Sequence, residues 1–309
     1  MDHLWERSIP LYPINLNDIN HIFQDFDSRL TVLSYTEIYI GCRNSNFIVK
    51  TDLGSYLYRI APHNQNGYIN EYAAYKLLFD VIRMPALYYT SRYNDRIHLI
   101  YEYIEATPLH TKYSKDTHFD NVIIKQVAKT AALIHNHKEN YGNEFIQLDV
   151  PPFEIWYEYF LSNENTIRRI GIETIRRVKA LIKDHKASLP MIDSYQSIIH
   201  CDYRPANMLI DSNNIVYVVD WEYAGLGHSL ADIGQFFRYR NCFHKDQISL
   251  FEAEYNLNAS VPLPFHWFAL SKLRDLVNPL QMISAKEEAP HKYEDLKYLI
   301  YDTLEYFGY

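Results

Sequence analysis

The chain has 309 residues, of which 48% are hydrophobic and 22% charged, enough for one large domain or two lobes around a sizeable core. The net charge of −8 argues against nucleic-acid phosphates as partners, and no apolar run approaches the ~18 residues of a membrane span. Three widely spaced cysteines, Cys42, Cys201 and Cys242, form no zinc pattern, and the N-terminal residues show no signal-peptide pattern. We therefore expect a cytoplasmic protein with no nucleic-acid or membrane partner.

The first third of the chain is predicted to be β-rich. After a helix predicted near residues 17–29, the runs "LTVLSYTEIYI" and "FIVKT" have strand character and flank the polar loop "GCRNSN". Gly54 supplies a tight turn before a further strand, "SYLYRI". Helical spacing of apolar residues then predicts a helix in "INEYAAYKLLF", and "RIHLIYEYI" predicts another strand.

From about residue 105 the pattern becomes helical. The stretch "FDNVIIKQVAKTAALIHNH" places Ile123, Val127, Ala131 and Ile134 on one helix face. Further helices are predicted near residues 152–163, 165–186, 264–286 and 292–306. One β-hairpin interrupts them, formed by "NMLI" and "IVYVVD" around the turn "DSNN".

The polar residues around this hairpin carry the strongest functional signal. Asp202, Arg204 and Asn207 lie just before its first strand in "IIHCDYRPANML", and Asp220 ends its second strand, thirteen positions after Asn207. A hairpin of that length returns its end close to its beginning, so these side chains should converge. Carboxylate and amide oxygens are ligands that Mg²⁺ prefers, and phosphoryl transfer from ATP needs such ligands plus a carboxylate for the attacking hydroxyl. We assign Asn207 and Asp220 to the metal, Asp202 to the hydroxyl and Arg204 to charge balance.

The stretch "HCDYRPANML…VVDWEYAGLGHSLADIG" resembles the signature of the aminoglycoside phosphotransferase and choline kinase-like family, which are small-molecule kinases. The resemblance implies an α+β, protein-kinase-like fold of two lobes: a β-rich nucleotide-binding lobe in residues 1–104 and a mainly helical catalytic and substrate-binding lobe in residues 105–309. It implies the same roles for Asp202, Asn207 and Asp220. Cys201 stands where the family usually has Gly, and Asp232 matches a residue expected to brace the catalytic loop by hydrogen bonds.

In the first lobe, "GCRNSNFIV" resembles the nucleotide loop of the family. The resemblance implies that Gly41 and the backbone of Asn44, Ser45 and Asn46 lie over the phosphates of the nucleotide.

Two further landmarks of the first lobe follow from the same resemblance. Arg59 stands where many members have the Lys that contacts the α- and β-phosphates, and it is expected to pair with Glu71 in the next helix. "LIYEYIEATPL" resembles the segment between the lobes, where the backbone of Glu102 and Ile104 would hydrogen-bond the adenine edge.

These observations predict an Mg²⁺-dependent O-phosphotransferase that uses ATP, with GTP as the alternative donor, and that is a monomer or a weak homodimer. The acidic balance favours a cationic small-molecule acceptor, and we favour an aminoglycoside-like antibiotic. The alternative is a metabolic kinase for choline, ethanolamine, homoserine, thiamine or a sugar. A nucleotide-binding regulator without catalysis is a third hypothesis, which the intact catalytic and metal residues disfavour. For recognition of the acceptor, the acidic segment 285–298 and stacking on Trp267 are both open.

Overall fold

The computed structural model describes residues 5–63, 66–112, 118–138, 144–146, 151–193 and 197–309. Its first part alternates strands and helices as the sequence predicts, with one additional strand, Leu87–Tyr93, that was not predicted. The elements are α1 (Leu16–Phe26), β1 (Val32–Ile38), β2 (Ser45–Thr51), β3 (Gly54–Ile60), α2 (Gly67–Leu78), β4 (Leu87–Tyr93) and β5 (Arg96–Glu102).

The five strands form one antiparallel sheet in the order β1-β2-β3-β5-β4. Alternate residues of β2, including Phe47 and Val49, are fully buried, because successive side chains of a strand point to opposite faces. They pack against Ile22 and Phe23 of α1 in a core of their own. The tight turn that joins β2 to β3 contains Gly54 with φ of 149°, a backbone conformation that residues other than glycine rarely adopt.

The remaining chain is mainly helical, with short strands near the candidate site. Helices lie where the sequence predicts them, at Asn121–His135, Phe153–Leu161, Glu164–Asp184, Trp267–Ile283 and Pro290–Tyr306, and a further long helix, Lys245–Asn258, was not predicted. The elements are β6 (Ala106–Pro108), α3 (Asn121–His135), α4 (Phe153–Leu161), α5 (Glu164–Asp184), α6 (Leu189–Ile192), β7 (Ser197–Ile199), β8 (Met208–Asp211), β9 (Val216–Val218), β10 (Gly225–Gly227), α7 (Leu230–Phe236), α8 (Lys245–Asn258), α9 (Trp267–Ile283) and α10 (Pro290–Tyr306).

A large second core holds these helices together. The predicted apolar face of α3 is buried in it, with Ile123, Val127, Ala131 and Ile134 at most 1% exposed. This arrangement of an antiparallel sheet followed by a helical region confirms the predicted fold class; the division at residue 104 stays a prediction. Among the helices in the described ranges, none combines the length and apolar character that crossing a membrane requires.

The predicted hairpin consists of β8 and β9, paired from Met208↔Val218 to Ile210↔Val216. Immediately beyond this pairing, the Val219 amide donates a hydrogen bond of 3.0 Å to the carbonyl of Asn207. Asp220 is therefore held beside the catalytic loop, as the spacing along the sequence predicts.

Candidate active site

Asp202 is the most extensively bonded carboxylate of the candidate site. Arg204 binds it with two nitrogens: Nε lies 2.7 Å from Oδ1 and Nη2 donates to Oδ2 at 3.0 Å. The amide of Asn207 donates to the same Oδ2 at 2.7 Å and to the Asp202 carbonyl at 2.9 Å. Burial disfavours the charged form of Asp202, but the guanidinium of Arg204 outweighs it and holds the pKa of the carboxyl below its usual value. Asp202 is therefore ionised at neutral pH.

Helix α7 holds the loop that carries Asp202. Asp232 is fully buried and accepts the backbone N–H of His200 on Oδ2 and that of Cys201 on Oδ1, each at 2.8 Å. Gln235, on the same face of α7, accepts the Tyr203 N–H at 2.7 Å and donates to the Cys201 carbonyl at 2.8 Å. Two side chains thus fix four backbone groups on both sides of Asp202, and Asp232 braces the loop as expected.

The backbone geometry explains why glycine suits position 201. Cys201 has φ of 65°, in the left-handed region that costs any residue other than glycine roughly 1–2 kcal/mol. The bracing bonds from α7 maintain this conformation despite the Cβ. Burial, reinforced by Asp232, raises the pKa of the Cys201 thiol to about 12, so it is not a thiolate nucleophile.

His200 has a structural environment. Its Nδ1 accepts the Asp202 N–H at 3.2 Å, so the ring proton is on Nε2, which lies 3.0 Å from the Val219 carbonyl. Both ring nitrogens are occupied by backbone groups, which leaves His200 no role as a general base.

Asp220, whose side chain is partly exposed, contacts the buried guanidinium of Arg59 from the first lobe. Nη1 of Arg59 donates to Glu71 Oε1 at 2.8 Å and to Asp220 Oδ1 at 3.0 Å. Burial opposes the charge on Arg59, but Glu71 and Asp220 more than compensate and raise its pKa above the usual value. The expected pairing of Arg59 with Glu71 is present, and the same guanidinium lies against a carboxylate assigned to the metal.

Asn44 reaches the same place with its side chain. Its amide nitrogen lies 3.3 Å from Glu222 Oε2 and 3.5 Å from Asp220 Oδ1. Burial and the neighbouring charge of Asp220 raise the pKa of Glu222 to about 7, although Arg59 opposes the shift. Two acidic side chains that lie near the same amide nitrogen together favour a cation beside them.

The other residues predicted to bind nucleotide lie around this centre with different contacts. Gly41 is exposed, with φ of 109°, in the loop between β1 and β2, and Asn46 accepts the Arg59 Nε–H at 3.1 Å. The Ser45 hydroxyl is turned away and accepts the N–H of Tyr12 at 2.8 Å. The structure therefore does not bring the Ser45 side chain to the carboxylates.

The segment between the lobes has one backbone group already occupied. The Glu102 N–H donates to the Ala86 carbonyl at 2.8 Å, so only the carbonyl of Glu102 remains a candidate for adenine. Ile104 follows in the three residues between β5 and β6 that belong to neither strand. Neither residue lies in the cluster around Asp220.

A cavity of about 350 Å³ borders the carboxylate cluster. Its walls are mainly apolar, and it contacts Cys201 and Glu222 on one side. Its other lining residues include Phe153, Trp156, Tyr223 and Arg274. The cavity gives a small molecule space beside the catalytic loop.

The two sequence candidates for acceptor binding in the C-terminal helices have other contacts. Trp267 is 4% exposed and packs in the core against Phe237 and Phe251. Glu288, in the acidic segment, pairs with Arg168 at 2.6 Å and Arg169 at 3.2 Å. Trp267 is therefore a core residue, and Glu288 already has cationic partners.

Two contributors to the site were not identified from the sequence. Gln235 is three residues after Asp232, and this helical spacing is a signal that could have placed both on one face. The side-chain role of Asn44 could not be inferred, because only the backbone of the loop was expected to act. Its contacts depend on residues about 176 positions away.

The fold is the protein-kinase-like fold of its structural neighbours. The structure is similar to that of the choline kinase LicA from Streptococcus pneumoniae, with a TM-score of 0.66 and 18% identity over 94% of this chain and 99% of that one. It is also similar to spectinomycin phosphotransferase APH(9)-Ia in complex with ADP and spectinomycin, with a TM-score of 0.68 and 13% identity over 94% and 99% of the two chains. At these identities the likeness establishes the fold.

The sequence establishes the family. The family model described as the phosphotransferase enzyme family, APH, matches residues 34–265, and the chain belongs to this family. A curated relative, the Protein LicA homolog of Mycoplasma capricolum subsp. capricolum, is 29% identical over 164 residues. That match spans 53% of this chain and 58% of the relative, so it covers less than two thirds of the relative's length. The predicted family is thereby confirmed.

Proposed function

We propose that this protein transfers the γ-phosphoryl group of ATP to a hydroxyl group of a small molecule in the cytoplasm. The observation that carries this proposal is the convergence of Asp202, Asn207 and Asp220 at the two ends of one hairpin. Family membership adds the expectation of phosphotransfer, and the structural neighbour that holds ADP supports a nucleotide as donor.

The residues present fit Mg²⁺. Because Asn207 uses its amide nitrogen on Asp202, its side-chain oxygen is the atom left to act as a ligand, together with the Asp220 carboxylate. Mg²⁺ commonly retains waters and phosphate oxygens as its other ligands, so two protein ligands are enough. When bound, Mg²⁺ would neutralise phosphate charge during transfer. Asn207 and Asp220 would hold it.

Asp202 would orient the acceptor hydroxyl and receive its proton. Its lowered pKa makes it a weak base, but phosphoryl transfer through a loose transition state needs positioning more than base strength. Arg204, bound to the same carboxylate, keeps Asp202 in one orientation and supplies positive charge for the transferred group.

Arg59 would bind the phosphates of the nucleotide. Its guanidinium is fixed by Glu71 and Asp220 beside the metal ligands, so its charge is in place before the nucleotide arrives. The β1–β2 loop at Gly41 would cover the phosphates, and the segment at Glu102 and Ile104 would contact adenine.

For the acceptor we favour a cationic molecule, in the first place an aminoglycoside-like antibiotic, because the net charge is −8 and one structural neighbour is a spectinomycin phosphotransferase. The second candidate is choline or a related metabolite, because the neighbour from Streptococcus pneumoniae is the choline kinase LicA and the curated relative is named as a LicA homolog. Retention of Asp202, Asn207 and Asp220 argues against an inactive regulator.

The experiment is a turnover assay of purified protein with Mg·ATP across aminoglycosides, spectinomycin, choline, ethanolamine, homoserine, thiamine and simple sugars. We expect acceptor-dependent ADP production with one class, and none with the Asp202→Ala variant. Failure of the wild-type protein to bind any purine nucleotide would refute the proposed function.

A further inference from the structure

The N-terminal segment, residues 5–9, lies against the loop proposed to cover the phosphates. The guanidinium of Arg7 donates to the carbonyls of Gly41 at 2.5 Å and Asn44 at 2.8 Å. The backbone N–H of Ser8 donates to the Cys42 carbonyl at 3.0 Å. These bonds attach the phosphate loop to the N-terminal segment in addition to the strands that flank it.

The same segment is attached at its other side to the first turns of α10. The Glu6 carboxylate accepts the backbone N–H of His291 at 2.9 Å and of Lys292 at 3.2 Å. The indole Nε1 of Trp5 donates to Asp295 Oδ2 at 2.9 Å. The N-terminal segment therefore connects the phosphate loop to α10 and carries Trp5 into the space between them.

Two cations flank the Trp5 ring. The guanidinium carbon of Arg204 lies 5.3 Å from the ring centroid, and the Lys292 ammonium lies 5.1 Å from the same centroid. Distances of this order are those of favourable cation–π contacts. Trp5 thus holds the Lys292 ammonium on the same aromatic ring as the arginine that binds Asp202.

Lys292 has no carboxylate within ion-pair distance in the described part of the chain, unlike Arg204. Its side chain is partly buried, and burial lowers its pKa; the charges of Arg204 and Arg43 act in the same direction, whereas Cys42 and Glu287 oppose the shift. Arg43, in the phosphate loop, donates to the hydroxyl of Tyr223 and likewise forms no ion pair with a described residue. Lys292 and Arg43 are thus two cations near the phosphate loop and the catalytic loop that have no carboxylate within ion-pair distance among the described residues.

We propose that Lys292 binds an oxygen of the γ-phosphoryl group of ATP together with Arg204, and that Trp5 positions the Lys292 ammonium for this contact. This inference rests on the proposed function, because that function places the end of the triphosphate between the same two loops. Lysine suits the task as a compact point charge on a flexible stem.

The test compares the affinities for Mg·ADP and for the magnesium complex of the non-hydrolysable ATP analogue AMP-PNP, measured by titration calorimetry. The variants are Lys292→Met and Lys292→Arg. The matched control is Lys297→Met on the same helix, where the lysine pairs with Glu294. Loss of one charge-assisted phosphate contact should weaken AMP-PNP binding by about 10- to 100-fold in Lys292→Met and leave ADP binding within about twofold. Lys292→Arg should keep most of the affinity, and Lys297→Met all of it.

Trp5 provides the second test. Trp5→Ala should lower the affinity for AMP-PNP but not for ADP, by less than Lys292→Met does, because the lysine remains but loses its support. Trp5→Phe keeps an aromatic face and should restore most of the preference for AMP-PNP. A merely structural role would instead change both affinities together or neither.

Three results would overturn the inference. Equal affinities of wild type and Lys292→Met for AMP-PNP would show that Lys292 makes no γ-phosphoryl contact. The same result would be found if Lys292 instead bound an anionic group of the acceptor. Equal losses for ADP and AMP-PNP would indicate a general effect on the nucleotide site. Binding of neither nucleotide by the wild-type protein would remove the proposed function together with this inference.

Discussion

The brace from α7 to the catalytic loop gives a quantitative prediction. Asp232 uses both carboxylate oxygens, Oδ2 for the His200 N–H and Oδ1 for the Cys201 N–H, and Oδ2 also lies 3.1 Å from Nε2 of His135. In Asp232→Asn one oxygen becomes an amide group that donates, so one buried N–H loses its acceptor. An unsatisfied buried donor costs about 1–3 kcal/mol, and Asp232→Ala, which removes both acceptors, should cost about 3–5 kcal/mol.

The assay is urea unfolding followed by circular dichroism, combined with kcat measured on any acceptor found. The matched control is Asp211→Asn in the hairpin turn. In that turn the backbone N–H groups of Asn213 and Ile215 both donate to a single atom, Oδ1 of Asp211, and asparagine retains this oxygen. We expect Asp211→Asn to cost under about 1 kcal/mol and to leave kcat unchanged. Asp232→Asn should lower both stability and kcat, because Cys201 must keep a strained φ next to Asp202.

The reasoning would be refuted if Asp232→Asn and Asp211→Asn had the same free energy of unfolding. Equal values would mean that the two buried backbone groups find other partners and that the brace is dispensable. Loss of kcat without loss of stability would contradict the proposed origin of the effect.

Three further predictions each concern a single side chain. Burial and the charge of Arg274 lower the pKa of His228 to about 4. Between pH 6.5 and 4 His228 is therefore protonated in the unfolded chain but neutral in the folded chain. The free energy of unfolding should therefore fall by about 3 kcal/mol as the pH drops through this range, and less in His228→Asn; equal slopes in urea titrations would contradict this. At pH 8 Cys201, whose thiol pKa is raised to about 12, should resist iodoacetamide, and its rapid modification in mass spectra would argue against the raised pKa. Arg59→Met should lower the free energy of unfolding by about 3–5 kcal/mol, because it leaves Glu71 buried without its cation, whereas an unchanged urea midpoint would show that the pair contributes nothing.

The sequence was most informative where the relevant distances are short along the chain. The thirteen residues from Asn207 to Asp220 span a single hairpin, so local geometry sufficed to predict that the two side chains meet. Helix α8, in contrast, has Gln247, Phe251 and Tyr255 buried at spacings of four, a helical signal that was present and overlooked. The spacing of these residues therefore suffices to predict the helix.

Other features had no local signal. The attachment of Trp5 and Glu6 to α10 joins residues about 285–290 positions apart, and nothing in the N-terminal composition indicates this partner. Similarly, hydrogen bonds with Asp232 and Gln235 of helix α7 hold Cys201 at a positive φ, which cysteine by itself disfavours. Tertiary contacts of this kind override local propensity and become visible only in the folded chain.

The central claim is that Asp202 acts on the acceptor hydroxyl while Asn207 and Asp220 hold the metal of the bound nucleotide. The most direct measurement compares Asp202→Ala with wild type in two quantities, kcat for phosphate transfer and the Kd of Mg·ATP. The account predicts that kcat falls by about two to four orders of magnitude while Kd changes by less than about threefold. Full retention of kcat in Asp202→Ala would contradict the assignment of the catalytic residue and with it the reading of the site.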